Sequence, residues 1–284
     1  MIKVKQTIRA LLVVIAVAVV TFAGWQWFGP KVAATNLQGV TTKVQPLKLV
    51  GIGDSLTHGV GDATSSGGYV PLIKADLEAS GQYDVSTANF GVTGNTAKQV
   101  QRRLDTQSKL QQAVKQADVI TLTVGGNDLM AVLQKHFFDI SAGDVDRGNA
   151  QFQKRLNKLL TTMRQANPDA PIYVFGIYNP FYVYFPKLTA MTTSVRAWNQ
   201  ATQKTLAKHS QAYYVDIDAV LTKGGTTASK ATKASLKQAL AGDEEANPLI
   251  FSEDHFHPNN AGYAQMTKQL WTKMQQTRST WEHE

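Results

Sequence analysis

The chain has 284 residues, 43% of them hydrophobic and 18% charged, with no cysteine and a formal net charge of +8. That apolar share excludes a disordered or collagen-like chain, and the lack of cysteine excludes disulfides, a thiolate nucleophile and thiolate metal sites. A charge of +8 raises nucleic acid as a partner, but the charge is not spread along the chain. Lys3, Lys5, Arg9, Lys31, Lys43 and Lys48 precede the first acid, Asp54, and supply +6. The remainder carries 23 basic against 21 acidic side chains, with no basic stripe and interleaved aromatics. No nucleic-acid partner is therefore expected.

Residues 1–28 come first in chain order. Lys3, Lys5 and Arg9 are followed by 19 uncharged residues, 10–28, with an apolar centre and an aromatic end, Trp25, Trp27 and Phe28. As a helix at about 1.5 Å per residue this run spans roughly 28 Å, close to a hydrocarbon core. The cations would stay in the cytoplasm and the tryptophans would sit at the far interface. The segment reads as an export signal, either an uncleaved anchor or a cleaved signal peptide, which places the body outside the cytoplasmic membrane. Residues 29–45, which include Gly29, Pro30 and Gly39, read as a linker, and the folded domain as 46–284.

Five short apolar runs follow, at 47–53, 83–90, 118–125, 171–177 and 212–217. Their hydrophobicity is continuous rather than alternating, as in parallel strands covered on both faces. Helical patterns lie between and after them, at 69–80, 97–116, 148–165, 189–209 and 260–275. Alternating strands and helices of this length predict an open α/β sheet with helices on both faces. Residues 222–246, rich in Gly, Thr, Ala and Lys, read as a solvated insertion with one short helix.

In such a sheet, ligands bind beyond the carboxyl ends of the strands. After the first strand comes Gly53-Asp54-Ser55-Leu56. A dinucleotide fingerprint fails there, because Leu56 stands where the third glycine is needed. After the second strand comes Asn89 with Gly91 and Gly94, and after the third Gly125-Gly126-Asn127-Asp128. Before the last helix comes Asp254-His255-Phe256-His257. Asp254 and His257 are three apart, so in one helical turn they would share a face, and the carboxylate could hold the imidazole in one tautomer. Each piece alone has an ordinary structural explanation as a turn or helix cap. A metal held by Asp254, His255 and His257 lacks obvious further ligands, so no metal or cofactor is expected.

Together and in this order, the motifs resemble the SGNH, or GDSL, hydrolase family, over residues from about 47 to 275. The strings at 125–130 and 178–181 further resemble its membrane-attached or secreted lipase/esterase branch in Gram-positive bacteria. The resemblance implies a flavodoxin-like three-layer α/β/α sandwich on a five-stranded parallel sheet. It implies Ser55 as nucleophile, His257 as base and Asp254 as its orienter, with His255 the rival base. It implies an oxyanion hole from the N–H groups of Ser55 and Gly94 and the amide of Asn127. Asp54 is expected to hold the nucleophile loop. The resemblance makes the protein a serine esterase or lipase acting on a small-molecule or lipid ester.

The aromatic run after the fourth strand suggests an apolar wall for an acyl chain, with Tyr178, Phe181, Leu129 and Met130 as candidate substrate contacts. An O-acetyl esterase acting on cell-wall polysaccharide and a non-catalytic tethered binding domain stand as alternatives. Chain-length preference and oligomeric state are not legible.

Overall fold

The computed structural model describes residues 44–135, 142–182, 189–224 and 247–282, together with Val19, Thr21 and Phe22. The chain divides into two compact units, Met1–Thr42 and Lys43–Glu284. In the first, the three described residues are helical, and Val19 and Phe22 are exposed. The rest of the expected export segment and of the linker up to residue 43 lies outside the described residues. Among the described residues, no helix is long and apolar enough to cross a membrane.

The second unit is built on β1 (Gln45–Gly53), β2 (Tyr83–Gly91), β3 (Val119–Thr123), β4 (Ile172–Phe175) and β5 (Ala212–Val215). They form one parallel sheet in the order β2-β1-β3-β4-β5. This is the expected five-stranded sheet. Gln45 already belongs to it, its N–H donating to the Gln82 carbonyl at 2.8 Å, so the linker ends one residue earlier than the composition suggested.

Helices cover both faces, as continuous strand hydrophobicity requires. On one face, α2 (Tyr69–Ala79) and α9 (Asn260–Gln276) bury Ile73, Leu77, Tyr263, Met266 and Leu270 against Leu49, Val119 and Phe175. On the other, α3 (Ala97–Thr106), α4 (Ser108–Gln116), α6 (Ala142–Ala166) and α7 (Thr189–Leu206) enclose Val100, Leu110, Phe152, Leu156 and Trp198 against Ile52, Ile120 and Val174. Each such aliphatic or aromatic side chain contributes roughly 1.5–3 kcal/mol on burial. The rings of Phe152 and Trp198 stack at 5.4 Å.

The sequence reading missed some boundaries for identifiable reasons. The single helix expected over 97–116 is two, broken at Gln107, whose extended backbone (φ −103°, ψ 103°) turns the chain. Among the described residues, three short α-helices escaped it: α1 (Ser55–His58), α5 (Gly126–Lys135), which opens on a Gly-Asn-Asp turn signal, and α8 (Asp218–Lys223). Thr222 and Lys223 therefore belong to α8 rather than to an insertion, and residues 225–246 lie outside the described set. The helix α6 starts six residues before the expected 148.

Candidate active site

Strand register brings the motifs together. Gly53 pairs with Gly91 of β2 on one side and with Thr123 of β3 on the other. The loops leaving β1, β2 and β3 therefore emerge level with one another, where the strand order reverses around β1. That is the place where a doubly wound sheet opens a crevice.

Ser55 is the first residue of the short helix α1 (Ser55–His58), capped by Asp54. Oδ1 of Asp54 accepts the N–H of Leu56 at 3.0 Å and the hydroxyl of Thr123 at 2.8 Å. The capping carboxyl is 4% exposed, and burial pushes its pKa up to about 6 against the pull of these two bonds. Beneath α1, the Thr57 hydroxyl meets the Thr123 hydroxyl at 2.7 Å and that of Tyr69 at 3.0 Å, and donates to the Ile52 carbonyl at 3.1 Å. This buried net, capped by Asp54, fixes the turn that carries Ser55. Gly53 has φ +150°, and a Cβ there would lie 2.3 Å from the Thr123 carbonyl oxygen, so the strand-to-helix turn has room for glycine only.

His257 approaches from the segment before α9. Its Nε2 lies 2.8 Å from Oγ of Ser55, and its Nδ1 lies 2.5 Å from Oδ2 of Asp254. A carboxylate at Nδ1 places the ring proton there and leaves Nε2 to accept from the serine hydroxyl. The three-residue spacing is realised in a turn, not in the expected helical one. Oδ1 of Asp254 accepts the N–H of Phe256 at 2.9 Å and of His257 at 3.0 Å. Phe251 N–H closes the loop on the His257 carbonyl at 2.7 Å, and His255 takes a positive φ of 52°. An Asp side chain that bonds its own downstream backbone is a turn-former, and that local bond outcompetes the helix. Partial burial pushes the Asp254 carboxyl up, but the bonds from His257 and Phe256 outweigh it and hold the group below the usual range. His255 lies exposed on the same turn; it is His257 that meets Ser55.

The candidate anion donors lie on the loops after β2 and β3. Asn127, the second residue of α5, donates its side-chain amide to the Asn95 carbonyl at 3.0 Å and lines the same cleft as Ser55. Gly94, with φ +79°, sits in an exposed turn where an added Cβ would meet nothing within 4 Å, and it is not among the residues that line that cleft. The N–H of Ser55, at the head of α1, is one of the helix-initial donors that have no partner within the helix.

The walls of the cleft only partly match expectation. Tyr178 lines it and is buried, its hydroxyl donating to the Phe256 carbonyl at 2.6 Å. Leu129 does not: it is 3% exposed and packs in the core among α3, α6 and α7. Met130 is absent from the lining, and Phe181 stands behind Phe256, their rings 6.0 Å apart. The helix starting at Gly126 explains the error, since it turns the side chain two positions after Asn127 back into the core. Leu56, Val124, Ile177, Pro180 and Phe256 form the apolar lining instead. Their positions directly after β1, β3 and β4, or beside His257, were the available signal. Among the described residues, no group of three His, Asp or Glu side chains is arranged to hold a metal.

The family model for the GDSL-like lipase/acylhydrolase family matches residues 52–265. The chain belongs to this family. Among proteins similar to this GDSL-like hydrolase, the uncharacterized protein YpmR of Bacillus subtilis is 28% identical over 232 residues, 81% of this chain and 82% of YpmR. The spore germination lipase LipC of Bacillus licheniformis is 26% identical over 228 residues, 79% of this chain and 94% of LipC. Among solved structures, the lipase Lip_vut3 from a goat rumen metagenome shares the fold, with a TM-score of 0.63 and 24% identity over 80% of this chain and 97% of that one. As a GDSL-type hydrolase, the protein is a carboxylic ester hydrolase.

Proposed function

We propose that the protein cleaves acyl esters through an acyl-Ser55 intermediate, outside the cytoplasmic membrane to which residues 1–28 lead it. The observation that carries this reading is the line Asp254 Oδ2–His257 Nδ1, His257 Nε2–Ser55 Oγ, at 2.5 and 2.8 Å. In the first step Oγ attacks the ester carbonyl while His257 takes its proton. The negative oxygen is met by the amide of Asn127 and the N–H of Ser55 in the cleft, and by the N–H of Gly94 from the exposed turn beside Asn95. The C–O bond to the alcohol then breaks, and His257 returns the proton to the leaving oxygen. Water, deprotonated by His257, attacks the acyl-serine in the same way and restores the hydroxyl. Asp254 stabilises the imidazolium formed in each half.

The apolar walls, Leu56, Val124, Ile177, Tyr178 and Phe256, favour a hydrocarbon acyl group over a polar one. One observation favours the O-acetyl esterase reading: the cavity they enclose is only about 40 Å³, small for a long chain. Labelling of Ser55 by a fluorophosphonate, with Ser55→Ala as control, tests the mechanism; equal labelling of the variant overturns it. A series of p-nitrophenyl esters from acetate to palmitate decides the acyl class. Rates that peak at octanoate or beyond support the lipase reading, and activity confined to acetate, with release of acetate from acetylated polysaccharide, supports the other. Protease digestion of intact cells tests the location: a body that resists digestion until the cells are lysed contradicts export.

A further inference from the structure

We propose that Asp128 is a positioning residue for the oxyanion-binding side of the site, an inference that rests on the role given above to Asn127 and Gly94. The carboxylate of Asp128 is 2% exposed and tied on two sides. Oδ2 accepts the N–H of Ala97, the first residue of α3, at 2.7 Å, and Oδ1 accepts from Nη1 of Arg155 on α6 at 3.2 Å. One residue earlier, Asn127 donates to the Asn95 carbonyl at 3.0 Å. Two parallel bonds thus strap residues 95 and 97 to residues 127 and 128.

The loop is closed on itself by the Asn95 N–H on the Val92 carbonyl at 3.1 Å and held to β1 by the Val92 N–H on the Gly53 carbonyl at 3.0 Å; the strap matters because it ties that loop to Asn127. A Cβ added at Gly94 would meet nothing within 4 Å, and its turn is exposed. Its N–H direction is set by the Val92–Asn95 turn, and the strap fixes the C-terminal side of that turn against α5. Asn127 in turn directs one amide hydrogen at Asn95 and thereby sets the direction of the other. An anion hole works only when its donors are fixed before charge develops. Asp128 holds both halves of that unit together, and Arg155 compensates the buried charge that does so. Nothing in this arrangement touches the reacting atoms, so Asp128 acts through Asn127 and Gly94.

The test measures kcat and KM for p-nitrophenyl butyrate on the full chain, in Asn127→Ala, Asp128→Ala, Asp128→Asn and the Asn127→Ala/Asp128→Ala double variant. Asn127→Ala is expected to lower kcat by roughly 10²–10³. Asp128→Ala should lower kcat about tenfold with KM within about twofold, because only transition-state donors are disturbed. Asp128→Asn, whose amide oxygen still accepts from Ala97, should recover to within about threefold of the parent. On the Asn127→Ala background, Asp128→Ala should cost less than about threefold, since residues that act as a unit are not additive. An undiminished tenfold loss there, or a loss carried by KM, or no recovery with Asn, overturns the proposal. If Asn127→Ala leaves kcat unchanged, the oxyanion reading of Asn127 falls first and the positioning role with it. Should Asp128→Ala fail to fold by circular dichroism, Asp128→Ser offers a hydroxyl too short to reach Ala97 and must give the same pattern.

Discussion

Nε2 of His257 lies 2.8 Å from Oγ of Ser55, although 202 positions separate the two residues. The contact joins the turn after β1 to the turn before α9, and each turn is held by its own aspartate. Asp54 caps α1 from below, and Asp254 binds the backbone and ring of His257 from behind. Two carboxyls in one site thus have opposite environments, one with its pKa raised by burial and one with it lowered by hydrogen bonds.

Replacing Asp254 with Asn should leave the turn largely intact, because an amide oxygen can still accept the N–H groups of Phe256 and His257. On the proposed mechanism it removes the negative charge that stabilises His257 when it takes the proton, and its amide favours the wrong ring tautomer. The expected loss in kcat on p-nitrophenyl butyrate is roughly 10³–10⁴-fold, with little change in KM. A loss below about tenfold would show that Asp254 does not orient the base.

Asp54 makes a prediction about stability and pH. Its folded pKa, about 6, lies above the ordinary aspartate value of 3.8, so between these values the folded state binds more protons than the unfolded one. This contribution is therefore fully present below about pH 4 and is lost as pH rises through about 6. A shift of that size corresponds to about 3 kcal/mol. Asp54→Asn keeps the cap and removes the titration. The stability of the parent relative to the variant, from urea unfolding, should fall by about that amount between pH 4 and pH 7. A constant difference across that range would contradict the assignment.

Gly53→Ala tests the turn that presents Ser55. The added Cβ would lie 2.3 Å from both the carbonyl oxygen and the hydroxyl oxygen of Thr123, which are held by β3 and by Asp54. A loss of about 3 kcal/mol or more is expected, roughly 6–12 °C in Tm. Gly94→Ala meets nothing within 4 Å and carries only the positive-φ penalty, about 1–2 kcal/mol. Calorimetry of the two variants should therefore separate them; equal shifts would refute the steric account of Gly53.

Much of the architecture was legible because continuous apolar runs separated by amphipathic ones admit few arrangements other than a covered parallel sheet. The short motifs were legible because Gly-Asp-Ser-Leu and Gly-Gly-Asn-Asp stand where strands end and Asp-His-Phe-His stands just before the last helix. The break at Gln107 was not, because no glycine or proline marks it and the pattern on either side is helical.

The sequence by itself determined the parallel α/β sheet and the side chains that could do chemistry at its edge, because strand ends and reactive groups are local properties of the chain. Only the tertiary structure decided which apolar neighbours face the cleft. Leu129 and Val124 are equally buried in one core cluster, yet only Val124 also lines the cleft, since burial pattern does not say what a residue is buried against. It also decided that Asp254 reaches His257 through a turn instead of a helix, and that Asp128 straps Ala97 to α5. Those contacts depend on register between strands and on the docking of helices far apart in the chain.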